Sequence, residues 1–315
     1  MKYGILMLVL LATTTLCIGG TAVPVNDGLV IEDVVVDPPE IESYSGNINI
    51  FASVENVGGT TATNANAELL GASWLDQTGS RNLLEKTLGQ LQPYDIRTGA
   101  PGELKVVTWT VPPAELPEGV SQDYKLTLRV DYDYSTTAVA NVPAYNEDEY
   151  VRRKLKNIAL SPTIITNTNA PIIVEVVGQP IIVRKFADPN EKYFFRIFFI
   201  NTGSGIPFFI AGSQRLNGVL QGTITLQGAD TQFVECFGQP VGGNVVTLPG
   251  AGSSNEVLVR KGDSALVSCA ISVNPNTWAT KPSGTISFIF DLKYRYFTDT
   301  ETGITILGRR NPAGP

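Results

Sequence analysis

The 315-residue chain contains no histidine. That removes, in one stroke, the commonest general base near neutral pH and the commonest zinc ligand. Cysteine is nearly as scarce, with Cys17, Cys236 and Cys269 only. Three scattered cysteines without a histidine do not make a zinc site. Positive charge is in deficit: 23 Lys and Arg stand against 30 Asp and Glu, a net charge of −7. No basic patch offsets it, so a nucleic-acid partner is not expected. No Gly-x-Ser-x-Gly elbow, phosphate loop or dinucleotide fingerprint occurs at a strand–helix junction. Neither a cofactor nor a metal is expected, and the sequence argues for a protein that is not an enzyme.

What is present is apolar and well punctuated. Hydrophobic residues make up 43% and charged residues 17%, enough to build cores rather than a disordered chain. The 30 Gly and 20 Pro are scattered as turn signals. The length suits about two domains of roughly 150 residues.

Residues 1–22 have the character of an export signal. Lys2 precedes an apolar run with no charge from Tyr3 to Gly20, and Gly20-Thr21-Ala22 presents small residues for cleavage after Ala22. The run is short for a membrane span, yet a retained membrane anchor remains open. So does a third fate: Leu16-Cys17-Ile18-Gly19-Gly20 resembles the junction of lipoproteins, a resemblance that implies lipidation of Cys17. That family places Gly, Ala or Ser where this chain has Leu16. Each route leads to an extracellular or cell-surface location, secreted or held to the membrane through the N-terminus.

The organising stretch is 47–59, N-I-N-I-F-A-S-V-E-N-V-G-G. Ile48, Ile50, Ala52 and Val54 alternate with polar residues, the period of a half-buried strand. The strand ends at Asn56-Val57-Gly58-Gly59, where glycine permits a turn. The same device returns at 193–205, with Asn201 in the place of Asn56 and Gly203 in that of Gly58. Other strands are predicted at 29–36, 64–70, 104–111, 124–134 and 138–143, and again at 172–177, 222–226, 232–237, 244–248, 256–259, 265–273, 285–297 and 304–307. Many short strands between turn signals predict a sandwich. Thr285–297 is aligned with 124–134 so that Leu292 and Tyr294 take the places of Tyr132 and Tyr134. The predicted fold class is therefore all-β: two tandem immunoglobulin-like β-sandwich domains at 29–145 and 171–309, after the N-terminal signal or anchor helix. Residues 146–170, charged and then rich in Thr and Asn, are assigned as the linker, a solvated connector rather than a helix.

Val54-Glu55-Asn56-Val57-Gly58-Gly59 and its Thr-rich continuation resemble the core of the cell-adhesion-related CARDB domain. Val130-Asp131-Tyr132-Asp133-Tyr134-Ser135-Thr136-Thr137 is similar to the closing hairpin of archaeal surface sandwiches. The resemblance covers about residues 29–143. It implies an immunoglobulin-like sandwich of bacterial and archaeal surface proteins, with adhesion or scaffolding as the work and no catalytic set to carry over.

Four sets of residues are candidates for more than packing. Cys236 and Cys269, in predicted strands of the second half, form an even pair in an exported chain and are expected to make a disulfide. Asp131 and Asp133 share a strand face about 7 Å apart, as acid/base carboxylates do, although alternate polar residues are also what a solvated face shows. Asp299 and Glu301 could offer oxygen ligands to calcium, but the segment is short for six ligands and is read as a hairpin turn. Finally, Phe194, Phe198 and Ile200 face outward if Phe195 and Phe199 face the core. With Phe208 and Phe209 on a neighbouring strand they would form a patch of a few hundred Å2, either covered within the chain or open to a protein partner or a second copy. A filament subunit lending residues 23–36 as a donor strand, and an extracellular carboxylate-dependent hydrolase, are the two other functions considered.

Overall fold

The computed structural model describes residues 26–77, 83–95, 97–185, 188, 191–250, 253 and 256–310. In β3 (Ile48–Asn56) the alternate residues Ile48, Ile50, Ala52 and Val54 are buried, and β11 (Tyr193–Asn201) does the same with Phe195, Ile197 and Phe199. Each is the centre of a small antiparallel sheet. In the first half β3 lies between β1 (Leu29–Asp37) and β6 (Leu104–Val111). Asp37-Pro38-Pro39 ends β1, which is an edge strand, as paired prolines require. In the second half β11 lies between β9 (Ile172–Val177) and β18 (Ser264–Val273), and β18 continues to β15 (Thr231–Cys236) and β16 (Gln239–Pro240).

Both small sheets pack on one large sheet, of 11 strands among the described residues. Its spine is a pair of very long strands, β7 (Ser121–Asn146, 26 residues) and β19 (Ser283–Leu307, 25 residues), antiparallel and in unbroken register from Ser121↔Leu307 to Tyr145↔Ser283. At about 3.3 Å per residue this ribbon is roughly 80 Å long. On the first half's side β4 (Ala62–Leu70) and β5 (Glu85–Leu91) add to β7, with the short α1 (Ser73–Gln77) between them. On the second half's side β12 (Ile206–Ala211) and β14 (Gln221–Gln227) add to β19, β13 (Gln214–Asn217) pairs with β12, and β17 (Val245–Thr247) pairs with β14. Even-numbered residues of the ribbon from Leu126 to Val142 and from Ile286 to Tyr296 face inward. Phe195 meets Phe288 there with ring centroids 4.9 Å apart. One hydrophobic core runs through both halves.

The duplication is real and has a two-fold arrangement. Asn56 and Asn201 are both buried at the end of the organising strand. The carboxamide oxygen of each accepts from the turn glycine, Gly58 or Gly203 at 3.1 Å, and contacts a ribbon tyrosine hydroxyl, Tyr134 or Tyr296. Their Nδ2 groups donate to a backbone carbonyl of the turn and to a distant one, that of Leu91 at the end of β5 or of Arg260. A Cβ on Gly58 or Gly203 would collide with the same tyrosine hydroxyl, which is why the turn needs glycine there. The equivalent tyrosines are thus Tyr134 and Tyr296, not Tyr134 and Tyr294: the predicted alignment of the last strands is corrected by two residues. Tyr132 and Tyr294 are the other equivalent pair, hydrogen-bonded respectively to Leu29 N at 2.9 Å and, through Thr136, to the Ile172 carbonyl. Tyr-Asp-Tyr in one strand therefore matches Tyr-Arg-Tyr in the other. Since Asp133 is paired with Arg295 across the ribbon, the pseudo-two-fold axis passes between these two residues. The parallel pairs β2 (Glu40–Glu42) with β19 and β10 (Ile181–Val183) with β7 obey the same symmetry.

Several expectations change with this architecture. The chain is all-β with sandwich-like sheets, but the halves share one sheet rather than following one another as separate bodies. Segments 124–134 and 138–143 are one strand, as are 285–297 and 304–307. Ser135-Thr136-Thr137 does not turn, because Thr136 is buried and bonded across the core. Thr298–Gly303 is not a hairpin: Asp299 and Glu301 sit within β19, paired to Arg129 at 2.8 Å and Lys125 at 2.7 Å. The assigned linker is structured too. Asn146 caps α2 (Glu147–Leu155), accepting from Glu149 N at 2.8 Å, and Glu149 holds Arg152 and Arg153 one turn on. Acidic residues first and basic residues last suit the helix dipole. β8 (Ile164–Asn167) then adds to β7. Residues 256–259 form only an isolated bridge, Val219↔Leu258.

Candidate binding cleft on the shared sheet

The outer face of the large sheet at the pseudo-axis carries one row across four strands: Phe208, Arg295, Asp133 and Thr63. Arg295 holds both expected carboxylates, Asp131 at 2.6 Å and Asp133 at 3.2 Å. Asp133 also accepts from Asn64 at 2.7 Å. Burial pushes the Asp131 carboxyl up, against the pull of Arg295 and Arg215. Arg215 lies 3.7 Å over the Phe208 ring and 4.0 Å over Phe297, and Arg129 lies 4.5 Å from Phe297 while gripping Asp299 with two hydrogen bonds. Stacked guanidinium groups of this kind fix aromatic rings on an otherwise solvated face.

Beside this cluster is an open cleft of about 580 Å3. Its floor is Ser135, Lys293 and the Asp133–Arg295 pair; Thr61 and Thr63 border one side, and Phe209, Ile210 and Val219 the other. Of the two aspartates that share this strand face, Asp133 lines the cleft and Asp131 does not. The cleft exists because the halves differ at one place. In the first half Thr63 and Asn66 are separated by a bulge on β4, with Asn64 at φ 51°. In the second half the corresponding partners of the ribbon are Phe208 and Gln221, separated by the β12–β13 hairpin. That hairpin supplies the apolar wall. The sequence signal for this site was the pair of tripeptides Tyr132-Asp133-Tyr134 and Tyr294-Arg295-Tyr296, whose unlike centres reveal a charge pair once the strands are placed in register.

The expected aromatic patch is divided. Phe194 is 63% exposed, and Phe198 and Ile200 are half-buried on the outer face of the five-stranded sheet, where Phe198 neighbours Leu266, 56% exposed. Phe208 and Phe209 belong to the large sheet instead. Phe208 is buried beneath Arg215 and Arg295, and Phe209 lines the cleft. The five residues do not share a surface, because β11 pairs with β9 and β18 while β12 turns away to pair with β19. Cys236 and Cys269 are joined by a disulfide between neighbouring strands. Such bridges belong to oxidising compartments. Cys17 and the leader lie outside the described residues. Among the described residues no cluster of His, Cys, Asp or Glu could hold a metal, and no helix is long and apolar enough to cross a membrane.

No family model and no curated protein matches the chain. Among solved structures, a transglutaminase from red sea bream aligns at 11% identity over 91% of this chain and 32% of that one, TM-score 0.19. Escherichia coli alpha-2-macroglobulin activated by porcine elastase aligns at 7% over 92% and 23%, TM-score 0.19. A serine-rich repeat adhesion glycoprotein of Streptococcus agalactiae aligns at 12% over 91% and 98%, TM-score 0.16. The chain spans a third or less of the first two. Likeness at these TM-scores carries no argument about this chain.

Proposed function

We propose that the protein is a non-enzymatic, exported component of the cell envelope, an adhesion or scaffolding element that meets a protein partner or a second copy of itself. The observation that supports this reading most is the uninterrupted β7–β19 ribbon. It locks two immunoglobulin-like halves into one rigid body roughly 80 Å along its spine, a shape suited to holding things apart or together. The disulfide fits folding outside a reducing compartment. The exposed Phe194 and Leu266, with the half-buried Phe198 between them, offer a contact face. Catalysis is less well supported: Asp131, the carboxyl raised by burial, does not line the cleft. For the filament reading, the proposed donor β1 is already paired to β3 of its own chain.

Two measurements test the proposal together. Cell fractionation should place the protein in the envelope or medium, with an intact mass showing how the N-terminus is processed and Cys236 bonded to Cys269. Sedimentation and pull-down of a Phe194→Ser/Leu266→Ser variant should show weakened association. A cytoplasmic protein with free thiols, or association indifferent to both substitutions, would reject it.

A further inference from the structure

The cleft at the pseudo-axis points to a ligand. Its volume of about 580 Å3 lies within the range of small-molecule sites, about 300–1,000 Å3. Its wall is an addition to the fold, since the first half closes the same position with a bulge. The added hairpin is pinned by Arg215 across Phe208 and Phe297, and it leaves Ile210 42% exposed at the cleft. A hairpin anchored in this way to present apolar side chains over a polar floor is what a binding wall does.

The floor sets the chemistry. Arg295 is charge-paired with Asp131, to which its Nη2 donates, and with Asp133, although its buried Nε makes no hydrogen bond. Lys293 lines the cleft, and it has no carboxylate partner among the described residues. A lysine recognises charge as a point rather than as a fork. Asp133 in the lining opposes a multiply charged anion, whereas a single negative charge can settle on the ammonium. The hydrocarbon wall of Phe209, Ile210 and Val219 then favours an apolar body over a polyhydroxylated one.

We propose that this cleft binds a small apolar monocarboxylate, its acid group on Lys293 and its hydrocarbon against Phe209, Ile210 and Val219. The inference stands apart from the envelope reading and holds for a free acid or for the C-terminal residue of a peptide alike.

Calorimetric or NMR titration of the mature protein with N-acetyl-leucine and with hexanoate tests it, alongside N-acetyl-leucinamide as the neutral control and an Ala-Ala-Ala-Leu peptide with free or amidated C-terminus. The acids should saturate in the millimolar range or below, and the amide should bind at least about tenfold more weakly. Lys293→Met should cost about tenfold while Lys293→Arg retains binding, and Lys261→Met should change nothing. Ile210→Ser should also weaken the acids, with near-UV circular dichroism unchanged. Binding of the free-terminus peptide, or its failure while N-acetyl-leucine binds, separates the two sources, and either result supports the carboxylate site. No saturation by any acid up to about 10 mM, equal binding of acid and amide, or indifference to Lys293→Met overturns the proposal.

Discussion

Asn56 and Asn201 show how one side chain can close a turn. Each is buried and satisfies a turn glycine, two carbonyls and a tyrosine hydroxyl. Replacing either with Ala leaves those groups without partners in a dry site, at a cost of about 2–4 kcal/mol. Urea unfolding of Asn56→Ala and Asn201→Ala should show losses of similar size; a loss under about 0.5 kcal/mol would put the equivalence in doubt. The tyrosines carry a pH signature. Burial raises Tyr132, Tyr134, Tyr294 and Tyr296 above the usual phenol value. Folded pKa values above the unfolded ones mean that stability is intact below about pH 10 and falls as pH rises beyond it. In an alkaline titration, tyrosinate absorbance from these four should therefore appear together with unfolding rather than before it.

At the scale of elements, α2 shows a local rule winning over a prediction. Its charge order was legible, but the connector assignment ignored Asn146, three residues before Glu149, which is the spacing of a capping box. Hydrogen bonds from Arg152 and Arg153 hold the Glu149 carboxyl at about 2, below its ordinary 4.5. A depressed folded pKa places this contribution at full strength above about pH 4.5, with loss as pH falls toward 2. NMR titration of the Glu149 side-chain carboxyl carbon should give a midpoint near 2; a midpoint at the ordinary carboxylate value of about 4.5 would contradict the pairing. The long strands illustrate the opposite limit. Polar runs such as Ser135-Thr136-Thr137 and Thr298–Gly303 look like turns in isolation, and only cross-strand partners such as Arg129 for Asp299 keep them extended.

For the whole molecule the axis is the point of interest. A symmetric ancestor would face identical residues there, and like charges directly opposite destabilise a sheet. This chain resolves the conflict with Asp133 opposite Arg295. Asp133→Arg and Arg295→Asp should each destabilise by about 1 kcal/mol at this half-exposed site. Arg295→Asp should cost more, since Asp131 loses its partner as well. The double exchange should recover part of the Asp133→Arg loss in a double-mutant cycle, and strictly additive losses would show that the pair is not coupled. Joining Cys236 to Cys269 closes a loop across a sequence separation of 33. Substituting both with Ala should lower stability by about 3 kcal/mol, and an unchanged melting temperature would argue against a structural role.

The sequence by itself determined the strands of the organising unit, its duplication, the inward and outward faces, and the cysteine pair. These depend on local periodicity and on turn residues whose backbone freedom is intrinsic. Tertiary structure alone decided that the last strands of the two halves pair with each other along their whole length. It thereby set the axis between Asp133 and Arg295, parted Phe208 and Phe209 from Phe194, Phe198 and Ile200, and opened the cleft over Lys293. Strand pairing joins residues far apart in the chain, and the register that selects a partner is a property of two strands together.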